Sequence, residues 1–248
     1  MPQQETCNYI EPLILEGIPY GKSTTTVFDA RYDYAQKNFR GYVIAEGKVK
    51  LITFALQPHV AVKHLAAWVH GWITGDQIAS LFKLASAVPR EQLIVEIGSW
   101  KGKSTIALGW GSKAGSMAKV WAIDPHRATA QYWAWFNKGI ESSSFGQFRN
   151  NITNAGLDDI VYPLVESSLD ASKMLGGNIG LLFVDGHHDY AAQDVAHWID
   201  RIVPGGVLAL HDKQYANVQA AIASVDECGL FEHAEDVDNM AVYKRKGS

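Results

Sequence analysis

The sequence predicts an α/β protein built on a Rossmann-like, mostly parallel sheet of seven strands, with helices on both faces, an antiparallel edge and an N-terminal extension. Three observations carry this. From residue 93 onward, short apolar runs alternate with segments whose apolar residues recur at helical spacing. Runs such as "IGLLFV" (179–184) are apolar throughout, as strands covered on both faces are. The stretch "LFEHAEDVDNMAVYKRK" near the C-terminus reads as two strands in succession, which makes an antiparallel edge.

The elements follow in order. Residues 1–40 are polar and mixed, with Gly, Pro and a Ser/Thr run, and are expected to be irregular. "GYVIAEGKVKLITFAL" (41–56) reads as strand, tight turn at Glu46-Gly47, strand. "VAVKHLAAWVHGWI" (60–73) and "GDQIASLFKLASAV" (75–88) have helical periodicity, and Asp76 is the expected cap of the second. Beyond them come the strands "LIVEIG", "KVWAID", "IVYPLVES", "IGLLFVDG" and "GGVLALHD". They are separated by the helical segments "KSTIALGWG", "SFGQFRNNITNAG", "LDASKML" and "AAQDVAHWIDRIV", and "YANVQAAIASVDECG" forms a last helix. Residues 1–74 are read as an extension with a hairpin and a helix, acting as a lid or an oligomer contact, and 75–248 as the main domain.

Composition excludes several classes. Hydrophobic residues are 47% and charged residues 19%, ordinary for a chain with a sizeable core. The net charge is -4 and no dense Lys/Arg run exists, so nucleic acid is not an expected partner. Cys7 and Cys228 are too few for a disulfide framework or a cysteine zinc site. The N-terminus lacks the basic flank and apolar stretch of a signal peptide, and no apolar run reaches the ~20 residues that span a bilayer. A cytoplasmic protein with no membrane partner is expected, and a homo-oligomer is compatible with the sequence.

In an open α/β sheet, ligands bind at the carboxyl ends of the strands. The polar clusters fall there: Glu96 to Gly98, Asp124, Glu166 to Ser168, Asp185 to His188, and His211-Asp212. "VEIGSWKGKST" is E-x-G-x-x-x-G between a strand and a helix, with Gly98 and Gly102 free to turn sharply. A dinucleotide loop would read G-x-G-x-x-G. Here Glu96 stands near the place of the first glycine, where a carboxylate repels pyrophosphate and suits a cation. Asp124, ending the next strand, is placed for two ribose hydroxyls, and Ser104 for a carboxylate. Ribose, amino acid and positive sulfur together describe S-adenosylmethionine.

"VEIGSWKGKSTIALG", "VWAIDPH" and "LLFVDGHHDYAAQDVAHWIDRIVPGGVLALHD" resemble class I S-adenosylmethionine-dependent methyltransferases over roughly residues 70–248. The nearest type is the small-molecule O-methyltransferase subgroup related to macrolide-sugar O-methyltransferases and cephalosporin-hydroxylase-like proteins. The resemblance implies that Glu96, Gly98, Ser99, Trp100 and Gly102 surround the methionine part. It places Asp124 on the ribose, Ser168 near the adenine and His187 at its edge. It implies a divalent metal, Mg²⁺ or Mn²⁺, on Asp185, His211 and Asp212. His211 departs from the family's acidic residue there, and an imidazole shifts preference toward Mn²⁺, Fe²⁺, Co²⁺ or Zn²⁺. In the alternatives, only Asp185 and Asp212 bind the ion, or the site holds no metal.

His188, three positions after Asp185, resembles the family's catalytic base, with Asp189 or another carboxylate to orient it. The expected substrate is a hydroxylated small molecule, a sugar or natural product. His126 is a further candidate for touching cofactor or substrate, whereas His197 reads as a packed or surface residue. Tyr132, Trp133, Trp135 and Phe136 form an aromatic cluster that either walls the site or packs the core. Two rivals stand beside this reading. His187, Asp189 and His211 have the outline of a 2-His-1-carboxylate iron oxygenase, and a non-catalytic S-adenosylmethionine-binding protein would use the same loop.

Overall fold

A computed structural model of the chain describes residues 13–16, 24–33, 38–127 and 143–247. It has two compact units, one of Met1–Gln57 with Asn154–Gly156, the other of Pro58–Thr153 with Leu157–Ser248.

The first unit holds an antiparallel sheet in the order β1-β2-β3-β4: β1 (Leu13–Glu16), β2 (Thr24–Asp33), β3 (Asn38–Ala45) and β4 (Lys48–Phe54). The hairpin expected at 41–56 is β3–β4, and it turns at Glu46-Gly47, whose φ values of 53° and 70° are those of a two-residue hairpin turn. β1 and β2 lie within residues 1–40, where the sequence suggests an irregular segment, and residues 1–12, 17–23 and 34–37 lie outside the described residues. Polarity suggested loop, but β2, "TTTVFDARYD", is rich in β-branched and aromatic residues, which favour strand whatever their polarity.

The second unit begins with α1 (Pro58–Ala67) and α2 (Gly75–Ser86). Asp76 is not the cap of α2. Thr74 is, and its hydroxyl accepts from the Gln77 N–H while the Gln77 side chain accepts from the Thr74 N–H, a capping box. Then come β5 (Leu93–Ile97), α3 (Lys103–Ala114), β6 (Val120–Ile123), α4 (Phe145–Asn154), β7 (Val161–Leu164), α5 (Ser168–Met174), β8 (Ile179–Val184), α6 (Ala191–Trp198), β9 (Ile202–Leu210), α7 (Ala216–Glu227), β10 (Phe231–Val237) and β11 (Met240–Arg245).

The strands form one sheet, β10-β11-β9-β8-β5-β6-β7, seven in all, as the sequence predicts. β7, β6, β5, β8 and β9 are parallel, and β11 joins β9 antiparallel. Every residue of β8 is buried. α3 is buried from Ser104 to Ser112, because α1 and α2 pack over its outer side.

Order and register together position the site. The chain leaves β5 in one direction for β6 and β7, then returns to β8 on the other side, so the order reverses between β5 and β8. Ile123, Ile97, Val184 and Leu210 end their strands in register across four neighbours. The next residue of each chain segment is Asp124, Gly98, Asp185 or His211. One row of strand ends therefore delivers four of the expected site residues side by side.

Candidate active site

A cleft of about 1050 Å³ lies along this row. Gly98, Ser99, Trp100, Ser104, Asp124, Ser168, Asp185, His187, His188, His211 and Asp212 line it, so eleven of the thirteen residues expected from the sequence meet there. His126 and His197 line it too. The aromatic cluster of Tyr132, Trp133, Trp135 and Phe136 lies outside the described residues. Three non-glycine residues on the lining have left-handed backbone: Trp100 (φ 40°), His126 (φ 51°) and Asp212 (φ 61°). Such conformations cost energy and collect where surrounding structure holds side chains for function.

The loop after β5 is fixed by backbone contact. A Cβ on Gly98, whose φ is 88°, would stand 2.2 Å from the Asp185 carbonyl oxygen, so only glycine allows this crossing. The close approach is therefore to the β8 loop. The Asp124 carboxylate stitches the neighbouring ends together, accepting from the Trp100 N–H at 2.8 Å and the His126 N–H at 2.6 Å. A carboxylate has about four acceptor positions, so two remain for a ligand's hydroxyls.

Glu96 and Gly102 do not line the cleft. Gly102 starts α3 in left-handed conformation and packs on Phe148 and Ile152. Glu96 is fully buried, with Thr105 donating to its Oε2, and Oε1 has no hydrogen-bond partner. Burial raises its pKa, hydrogen bonds from Ser104 and Thr105 oppose this, the charges of Asp185 and Asp124 add to it, and the result is about 8. Two further polar atoms of lining residues are buried without a partner, Ser99 Oγ and His126 Nε2. Native interiors leave few such atoms, and their concentration here fits a polar ligand.

Ser168 is the first residue of α5, and Ser167 is the cap. The Ser168 hydroxyl accepts from Trp198 Nε1 at 3.0 Å and donates to Asp194.

At the other end of the row, Asp185 Oδ1 lies 2.8 Å and Asp212 Oδ2 3.4 Å from His211 Nδ1. One ligand atom from each of the three residues falls within 4.8 Å of the others. Two donors at about 2.1 Å from an ion and at right angles stand about 3.0 Å apart, so these spacings match a shared cation. A void of about 10 Å³, room for one water-sized sphere, borders Asp185, His188 and His211. Burial disfavours charge on His211, but hydrogen bonds to Asp185 and Asp212 and their negative charge prevail and push it up to about 10. Burial raises Asp185 against the pull of His211, whereas at Asp212 hydrogen bonds from His211, Gln214 and His188 overcome burial and lower it. The imidazolium thus stands where a cation is wanted, and the donor set fits a divalent metal.

His188 Nε2 lies 2.8 Å from Asp212 Oδ2, and its ring stacks on Tyr215 with centroids 4.0 Å apart. A carboxylate only accepts, so Nε2 carries a proton and Nδ1 is left as the basic atom of the neutral ring. Asp212 therefore orients His188. Asp189 is exposed, accepts from Asn217 Nδ2 at 2.7 Å, and lies apart from the metal-competent group. His187, Asp189 and His211 accordingly do not form the oxygenase triad: the converging set has one histidine and two carboxylates.

Sequence reasoning missed Gln77, Thr105, Tyr215 and Asn239. Gln77 alone left a trace, three residues after a threonine at a helix start.

A family model described as a methyltransferase domain matches residues 95–213, the span from the glycine loop to the His-Asp pair. Over that span, just under half of its length, the chain is similar to a methyltransferase domain. Solved structures share the architecture around it. The O-methyltransferase NovP matches at TM-score 0.60 and 17% identity, over 73% of this chain and 84% of NovP. The methyltransferase PaMTH1 of Podospora anserina, bound to S-adenosylhomocysteine, matches at 0.59 and 14%, over 78% and 89%. The O-methyltransferase TomG of Streptomyces achromogenes, in complex with S-adenosylmethionine, matches at 0.54 and 17%, over 75% and 90%. At such identities the likeness is one of fold. The row of strand ends, from Asp124 to His211, falls within the matched span. Among the described residues, no helix is long and apolar enough to cross a membrane.

Proposed function

We propose that the enzyme transfers the methyl group of S-adenosylmethionine to a hydroxyl oxygen of a small molecule, with His188 as general base beside a divalent metal on Asp185, His211 and Asp212. The single observation that carries this reading is the clustering of a carboxylate-oriented histidine and three converging ligand atoms on the wall of one cleft with the donor loop. A metal there supplies positive charge that lowers the acceptor's pKa.

The chain's own residues do the rest. Gly98 to Trp100 and Asp124 hold the donor, with Ser168 and His187 beside its adenine and Glu96 supporting the loop from beneath. His188 Nδ1 takes the hydroxyl proton as the O–C bond forms and the C–S bond breaks, which turns the sulfonium into a thioether. Asp212 holds the imidazolium so produced. The cleft is large enough for donor and acceptor together. A natural-product acceptor draws support from TomG, whose structure is described as involved in tomaymycin synthesis.

The test is calorimetric titration with S-adenosylhomocysteine, with and without chelator, beside a methyl-transfer assay over sugar and phenol acceptors. Binding in the micromolar range and a His188→Ala variant slowed by about 10²–10⁴-fold with unchanged S-adenosylhomocysteine affinity are expected. No binding in either condition, or full turnover by His188→Ala, refutes the reading.

A further inference from the structure

The metal ligands are held by a network that starts at the cap of α2, on the opposite side of the sequence. Gln77 is fully buried and touches four groups. Its Oε1 accepts from the Thr74 backbone N–H at 2.9 Å, and its Nε2 donates to the Val237 carbonyl at 3.2 Å. Both partners are backbone groups whose roles cannot be exchanged, so they determine which end of the amide is oxygen. His211 Nε2 lies 3.3 Å from that same Oε1. An acceptor faces it, so Nε2 must carry a proton.

Gln77 Nε2 also donates to Asn239 Oδ1, which leaves Asn239 Nδ2 to donate to Asp212 Oδ1 at 2.7 Å. Gln214 Nε2 donates to the same oxygen at 2.9 Å. Two amides therefore hold Asp212 Oδ1 away from the cluster, and Oδ2 faces His211 and His188.

We infer that Gln77 is a positioning residue of the metal site: it holds the proton of His211 on Nε2, so that Nδ1 is the atom presented to the ion, and through Asn239 it turns Asp212 Oδ2 inward. The inference rests on the metal reading above. It specifies which nitrogen binds and what holds it, the outer-shell role that usually decides a ligating histidine's tautomer.

The test uses the full chain loaded with Zn²⁺, which is diamagnetic. A long-range proton–nitrogen spectrum of the wild-type histidine rings is expected to show His211 with Nδ1 on the metal and a proton on Nε2. Calorimetry with Zn²⁺ and with Mn²⁺ is expected to show a 10–100-fold loss of affinity in Gln77→Leu. Thr74→Ala, which removes the cap hydroxyl but leaves Gln77 Oε1 facing His211, is expected to lose stability and keep its Zn²⁺ affinity. Nε2 found on the metal, or a Gln77→Leu variant that binds as tightly as wild type, overturns the inference and leaves the metal reading intact. A wild-type chain that binds neither ion overturns both. The wild-type spectrum decides the tautomer even if Gln77→Leu fails to fold.

Discussion

Glu96 offers the sharpest quantitative test of the site's electrostatics. Its carboxyl is fully buried at the end of β5 and holds its proton to a pH of about 8, against 4.5 for an ordinary glutamate. Below pH 4.5 the folded and unfolded chains both carry the proton, and the residue costs nothing. Between 4.5 and 8 the unfolded chain releases the proton while the folded chain keeps it, so stability falls as pH rises. Above 8 both are ionised and the full cost of the buried charge remains. A difference from 4.5 to about 8, at about 1.4 kcal/mol per pH unit, amounts to a cost on the order of 5 kcal/mol. Glu96→Gln removes the charge and keeps an oxygen to accept from Thr105. Urea unfolding followed by tryptophan fluorescence from pH 4.5 to 9 measures the effect. The variant is expected to match wild type near pH 4.5 and to exceed it by several kcal/mol near pH 8. His211 and the other titrating groups contribute to both curves, so the difference reports Glu96 together with its coupling to Asp185 and Asp124. Parallel curves for the two proteins would refute the reasoning.

Three further outcomes follow from named contacts. Asp124→Asn keeps the size of the side chain but removes its charge, and S-adenosylhomocysteine is expected to bind about 10-fold more weakly by calorimetry, the difference between charged and neutral hydrogen bonds. Gly98→Ala forces a Cβ to 2.2 Å from the Asp185 carbonyl at a φ of 88°. A stability loss of about 2 kcal/mol or more by denaturation and loss of S-adenosylhomocysteine binding are expected. Tyr215→Ala removes the ring stacked on His188. Its kcat is expected to fall severalfold while S-adenosylhomocysteine affinity stays at the wild-type value, a split read by turnover assay and calorimetry.

The strand ends were legible because continuous apolar runs stop abruptly at Asp124, Asp185 and His211, and a parallel sheet brings such stops together. Glu96 was not legible in the same way. In a strand covered on both faces, neither face is marked by polarity, so sequence does not say whether the carboxylate looks into the cleft or beneath it. Gln77 was hidden for a different reason. It reads as an ordinary polar residue in the first turn of a helix, and its contact with His211 joins positions 134 residues apart. Asn239 sits in a turn between two strands, where asparagine is common for purely local reasons. β2 was obscured by threonine and charge, which lower hydrophobicity while its β-branched and aromatic residues keep a β preference.

The absent side chain of Gly98 has one more consequence. The loop that would hold the methyl donor rests directly on the backbone of Asp185, a proposed metal ligand, with no side chain between to absorb displacement. The two ligands of the site would therefore sit on opposite sides of a single rigid contact. Any preference of the ion for one position of that contact must appear as a change in donor affinity, and the donor must change the ion's affinity by the same factor. Order of addition would then be a property of the backbone crossing, readable by titrating each ligand in the presence of the other.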